Sequence, residues 1–136
     1  MDLMQAMQVS GSGIKAQSAR MKVISENIAN ADSILGENGQ DPYRRQMVFL
    51  ESVGNAETGV NQVKLGRVEQ DFNTPLKREY NPSHPLADEQ GFIRKPNVDT
   101  TMESADMREA ARSYEANLSA IESTKQMMQR TMSILR

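Results

Sequence analysis

The sequence predicts a mainly α fold with a small β part, and three observations carry that prediction. An apolar seam runs near the N-terminus, a matching seam runs near the C-terminus, and the middle has no such rhythm. The first seam steps through Leu3, Met7, Ser10, Ile14, Gln17, Met21, Ile24, Ile28 and Ala31. The second steps through Met107, Ala111, Tyr114, Leu118, Ile121, Lys125, Met128, Met132 and Leu135. Alternating spacings of four and three place one apolar stripe along one side of a helix, as in a coiled coil. The expected architecture is two long terminal helices forming a coiled-coil-like pair, a short β-rich middle unit and an extended Pro-containing loop. The expected divisions are an N-terminal axial helix at 1–35, the middle unit and loop at 36–97, and a C-terminal axial helix at 98–136.

The first helix reads from about Leu3 to Ala31. Gly11-Ser12-Gly13 is its weak point, since each glycine costs roughly 1 kcal/mol against Ala in a helix interior. Such a stretch bends the helix or lets another backbone approach. Asn30, Asp32, Ser33 and Gly36 are the stop signal. In the middle, Tyr43 to Val53 suits a strand through Met47-Val48-Phe49-Leu50. Val63, Leu65 and Val68 suggest another, with Gly66 at a bulge position, and Leu76 to Tyr80 a third. Glu37-Asn38-Gly39, Gly54-Asn55 and Thr58-Gly59 are turn formers. Asn81-Pro82-Ser83-His84-Pro85 forbids regular helix and central strand, so an ordered extended loop is expected from there to Pro96. The second helix starts near Thr100, where Thr100 and Glu103 have capping-box spacing. Early acids and late bases then suit the helix dipole. At 1.5 Å per residue the helices would be about 43 and about 50 Å long, more than a small middle unit covers.

Composition narrows the function classes. With 136 residues the chain makes one domain of ordinary size. Aromatics are only 4%, so the core must rest on aliphatic residues and methionine, of which there are ten. Met fills irregular gaps and adapts to non-identical neighbours. The formal charge of -2 shows no bias toward nucleic acid or an anionic membrane. No apolar run reaches the ~18 residues of a transmembrane helix. The opening Met-Asp-Leu-Met-Gln-Ala-Met has neither a basic nor a continuous apolar region, so no cleaved secretory signal is expected. Absence of cysteine excludes disulfides and thiolate metal sites.

Nothing in the chain reads as a catalytic, cofactor or metal site. His84 is the only histidine and stands in the loop as a solvent-facing side chain, without partners for a metal. Asp88 and Glu89 read as a solvated turn, and Arg44-Arg45 and Arg94-Lys95 as solvated basic pairs. Gly11-Ser12-Gly13 lacks the lysine and preceding strand of a phosphate loop. The seams point instead to assembly. The expected protein-interface residues are Leu3, Met7, Ile14, Met21, Ile24, Ile28 and Asn30 on the first helix. On the second they are Met107, Ala111, Tyr114, Leu118, Ile121, Met128, Met132 and Leu135. Small or polar residues recur beside each seam at seven-residue spacing: Ala6, Gly13, Arg20, Asn27, and Ala110, Asn117, Thr124, Thr131. With Met4, Val9, Met127 and Ile134 off the seam, one helix partner cannot cover both faces. A hairpin closing on itself is the plainer alternative.

Two groups of residues carry a specific resemblance. Gln17-Ser18-Ala19-Arg20 followed by Ser25-Glu26-Asn27-Ile28-Ala29-Asn30-Ala31-Asp32-Ser33 resembles the N-terminal signature of the bacterial flagellar rod and hook axial proteins. Asn81-Pro82, Pro85-Leu86-Ala87-Asp88 through Gly91-Phe92, Lys95-Pro96-Asn97-Val98-Asp99, and Ala111-Arg112-Ser113-Tyr114-Glu115-Ala116-Asn117 resemble the proximal-rod type of that family. The match covers nearly the whole chain, departing mildly at His84, where the pattern often has Asn, and at Phe92, where Tyr is usual. The resemblance implies a structural subunit of the basal body, stacked helically into a hollow periplasmic driveshaft that transmits torque. It implies terminal helices lining the inner tube and export through the flagellar type III channel without a cleaved signal peptide. Partners would be copies of itself, other rod proteins, the export apparatus and the basal-body rings, with no nucleic acid, small-molecule substrate or cofactor. Alone, the terminal segments would be largely disordered or only transiently helical. Another rod or hook subunit, or a cytoplasmic coiled-coil adaptor, are the competing readings, with an enzyme a distant third.

Overall fold

The computed structural model describes residues 2–34, 41–55 and 59–134. Two helices, α1 (Leu3–Ala29) and α2 (Thr100–Ile134), bracket four strands. The strands are β1 (Gln46–Asn55), β2 (Val60–Gln70), β3 (Lys77–Tyr80) and β4 (Phe92–Lys95). They form two small sheets, β1 with β2 and β3 with β4. The expected class of two terminal helices around a β middle therefore holds.

Capping chemistry sets the helix ends. At the start of α1 the Asp2 carbonyl accepts from the Ala6 N–H, and the Gln5 side chain reaches back to accept from the Asp2 N–H. The helix stops two residues before the expected Ala31. Asn30 turns its amide back onto the Glu26 carbonyl, and Ser33 closes the turn onto the Asn30 carbonyl. The N-cap of α2 is Asp99, not Thr100. Asp99 Oδ1 accepts from the Thr101 and Met102 N–H groups, and its carbonyl takes the Glu103 N–H. Glu103 is thereby released from the expected capping box and turns into the protein.

The strands refine the expected β unit. Gly54 and Asn55 belong to β1 rather than to a turn. The reversal falls at Gly59, whose φ of +65° suits glycine. Glu37-Asn38-Gly39, Gly36 and Thr58 lie outside the described residues. At Gly66 an added Cβ would stand 2.6 Å from Glu51, so the glycine admits that side chain. The stretch expected to be one extended loop to Pro96 instead folds into turns and then forms β4. Strand β4 pairs antiparallel with β3, Lys77 opposite Lys95 and Tyr80 opposite Phe92. Asp88 makes this possible. Its Oδ1 accepts from the Gln90 and Phe92 N–H groups, and its own N–H donates to the Phe92 carbonyl. Those bonds hold its carboxyl below the usual carboxylate range, the Phe92 N–H contributing most. Gly91 has φ of +80°, and a Cβ there would meet Tyr80 at 2.9 Å. The Tyr80 and Phe92 rings meet edge to face at 5.2 Å.

The chain divides into two compact units, each drawn from separated segments. The first comprises residues 1–22, 48–67 and 107–136. Its buried residues include Ala16, Ala110 and Thr124. Within it, Ser12 Oγ donates to the Val9 carbonyl and accepts from the Val63 N–H. Gly13 is approached by a side chain rather than by a backbone, for a Cβ there would lie 2.8 Å from the Asn117 amide. Arg20 pairs with Glu109 at 3.6 Å. The second unit comprises residues 23–47 and 68–106. Its apolar core includes Val23, Ile24, Ala31, Ile93 and Val98.

Gly91→Ala combines a strained backbone with a collision, and is expected to lower stability by about 1–3 kcal/mol in chemical denaturation. Gly11→Ala, where a Cβ meets nothing within 4 Å, is expected to raise helicity by circular dichroism. Gly13→Ala gains no such advantage, because the Asn117 amide must first move aside.

Candidate assembly surface

A buried polar cluster ties together the segments of the second unit. Asn27 of α1 and Glu103 of α2 are each only 1% exposed. Asn27 Nδ2 donates to the Gln46 carbonyl at 2.9 Å and to Glu103 Oε2 at 3.1 Å. Asn27 Oδ1 accepts from the Tyr43 hydroxyl at 2.7 Å and the Gln46 N–H at 2.9 Å. Every donor and acceptor of this amide is thus used. The other Glu103 oxygen accepts from Arg45 Nε at 2.5 Å, and Arg45 also reaches Asp106 at 3.6 Å. Burying a lone carboxylate would be prohibitive, but this one meets a guanidinium and an amide.

The cluster extends through Asn97. Its Oδ1 accepts from the Arg45 N–H, and its Nδ2 donates to the Asp71 and Thr74 carbonyls. Asp71 in turn gathers the Asn73 and Thr74 N–H groups and the Thr74 hydroxyl. These bonds, the Thr74 hydroxyl foremost, pull the Asp71 carboxyl below its ordinary range. Burial pushes the Tyr43 phenol up to about 12, with the nearby Glu26 and Glu103 charges adding to it. Arg44 and Arg45 are therefore not a solvated basic pair. Arg45 is bound to Glu103, and Arg44 lies 5.0 Å over the Phe72 ring.

Apolar surface stays open elsewhere. Phe49, Leu50 and Val53 on β1, and Leu65 and Val68 on β2, are exposed. On α2, from Glu122 to Ile134, only Thr124 and Met128 are covered. The covered line of α2 runs through Glu103, Ala110, Asn117 and Thr124 at seven-residue spacing, beside the apolar seam rather than along it. Of the expected interface residues, Ile24 is buried in the core of its own unit. Leu3, Met7, Ile14, Met21, Ile28 and Asn30 are half-buried. So are Met107, Ala111, Tyr114, Ile121 and Met128. Leu118 is 41% and Met132 63% exposed, and Leu135 lies outside the described residues. His84 is half-buried, its Nδ1 accepting from the Leu86 N–H.

In the sequence Asn27 stands in the stripe beside the seam and in the family signature, and Glu103 stands at cap spacing. The available signal was a large acid in line with the small Ala110, Asn117 and Thr124. Among the described residues no three His, Asp or Glu side chains cluster to hold a metal. No described helix is long and apolar enough to cross a membrane.

Polar groups spent on internal ties, together with open apolar helix faces, define a structural subunit of an assembly. Comparison with known proteins names the assembly. Residues 7–33 match the family described as flagella basal body rod protein. Residues 89–134 match the flagellar basal body rod FlgEFG protein C-terminal family. The chain is 42% identical to the flagellar basal-body rod protein FlgC of Agrobacterium fabrum, over 98% of this chain and 96% of the relative. It is 37% identical to FlgC of Bacillus subtilis over 98% and 99%, and 36% identical to FlgC of Yersinia enterocolitica over 98% of each. The chain belongs to the FlgC family of flagellar basal-body rod proteins, as a structural rod subunit and not an enzyme.

Asn27→Leu leaves Glu103, Tyr43 and the Gln46 backbone short of partners, and is expected to cost about 3–5 kcal/mol in urea denaturation. The Tyr43 phenol is raised from its ordinary value of 10.0 to about 12, which favours the neutral form in the folded state. The stability it contributes is complete below about pH 10 and lost as pH rises toward 12. Spectrophotometric titration should show a late phenolate that Tyr43→Phe removes.

Proposed function

We propose that the chain assembles helically, with copies of itself and other rod proteins, into the hollow periplasmic driveshaft that transmits torque. One observation carries this reading: Leu118, Met127, Met132 and Ile134 stand exposed on α2. A water-soluble subunit exposing that much apolar helix is built for further helix neighbours. In the proposed assembly α1 and α2 pair in a coiled-coil-like way and line the inner tube, while the β-bearing middle lies further out. The half-buried seam residues from Leu3 to Ile28 and from Met107 to Met128 complete the contact with adjoining subunits, together with Leu118 and Met132.

The energetics support coupling of order to assembly. Few apolar side chains of α2 are covered within the chain, so its outer turns gain little from their own fold. Burial between subunits, at about 25 cal/mol per Å², offsets the entropy of ordering them. Different patches meeting head to tail extend an open helix where the rotation between copies does not close a ring. We further infer passage through the flagellar type III export apparatus without a cleaved signal peptide. A chain free of cysteine crosses a narrow channel with no disulfide to undo. The basal-body rings are the remaining proposed contact.

Leu118→Asp separates assembly from folding, because Leu118 is exposed in the free chain whereas Ile24 is needed by its own unit. It is expected to leave the fold intact and abolish swimming, since it puts an unpaired charge into a contact that excludes water. Complete, swimming-competent basal bodies built from this variant would refute the seam assignment. Circular dichroism of the dilute chain should show less helix than the assembled rod. His84→Ala, which gives up one turn hydrogen bond, should swim normally.

A further inference from the structure

The first unit carries a groove of about 740 Å³ between the start of α1 and the hairpin. Gly11, Ser12, Ala16, Val63 and Leu65 line it. It is open beside Gly11, where an added Cβ would meet nothing within 4 Å. Lys15 and Lys64 also line it, and both are exposed. On α2, Leu118 is 41% exposed, with exposed Glu115 three residues before it and Glu122 four residues after. Those offsets bring all three onto one helix face, acid, apolar, acid. Among the described residues, neither lysine and neither glutamate has an ion-pair partner in its own chain.

We propose that this groove receives the Glu115, Leu118 and Glu122 face of α2 from a second copy of the chain. Leu118 enters beside Val63 and Leu65, while the two glutamates approach Lys15 and Lys64. This is a helix laid in a groove, with apolar contact at the centre and complementary charge at the edges. Other occupants fit less well. Two lysines on a chain of net charge -2 make a poor nucleic-acid track. A small polar ligand would find the Ser12 hydroxyl already committed to Val9 and Val63. Groove and helix face are different patches of one chain, so the contact is head to tail and each copy can use both, as an open helical series requires. The proposal rests on the helical-assembly reading above and names its contact.

The chain has no cysteine, so engineered thiols report one contact cleanly. Copies carrying Leu65→Cys and copies carrying Leu118→Cys are produced together, and purified basal bodies are oxidised. A covalent dimer is expected from the mixture, and none from either variant alone. Basal bodies that contain both variants but yield no dimer would overturn the contact and leave the rod assignment standing. Dimer from either variant alone, or cross-linking only to a different rod protein, would also overturn it. Absence of the native chain from basal bodies would remove both readings. In a second arm, Lys15→Glu with Lys64→Glu is expected to lower incorporation about ten-fold or more, as like charges oppose. Adding Glu115→Lys and Glu122→Lys to the same chain should restore it, and failure to restore would count against the pairing.

Discussion

The bond from Asn27 to Glu103, with Arg45 closing on the same carboxylate, is the constraint on which the second unit depends. It joins a helix near one end of the sequence to a helix near the other, and the segment before β1 to both. Each partner is buried and each is satisfied, so removing one strands the rest. A cluster of this kind adds little net stability over a well-packed apolar core. Its worth lies in register. A leucine contact tolerates slippage, whereas an amide that bonds Gln46, Tyr43 and Glu103 together fits one arrangement. That fixes how the segments of the second unit meet.

The apolar balance complements this. Large buried side chains are few, and much aliphatic and methionine surface stays open on α2 and on the β1–β2 hairpin. A two-stranded hairpin is marginal by itself in water. The molecule thus invests its specificity inside, in polar ties, and leaves apolar surface open outside. That division suits a family whose members assemble with other rod proteins, since methionine adapts to non-identical partners.

The connector between β3 and β4 shows the same economy of means. Asp88 organises it by accepting backbone donors, Gly91 by adopting a positive φ under the Tyr80 ring, and β4 by presenting Ile93 to the core. The prolines exclude helix here, yet they did not keep the chain extended. A short strand after a glycine turn is invisible to a reading based on prolines, because its pairing partner is β3 and its one core-directed residue is Ile93.

What the sequence determined by itself was periodic and local. The seams at spacings of four and three demanded two long helices, Asn30 and Ser33 marked a stop, and the apolar runs around Phe49 and Leu65 demanded strands. Family signatures around Asn27 and Asn97 were legible as pattern, but not as structure. Tertiary structure alone decided which polar residues turn inward. Glu103 could cap its helix or leave it, and Asp99 beside it took the cap. Arg45 could face water, but Glu103 was there to receive it. Such choices hinge on partners distant in sequence, whose proximity exists only once the chain has folded, and a charge without its partner in view always reads as solvated.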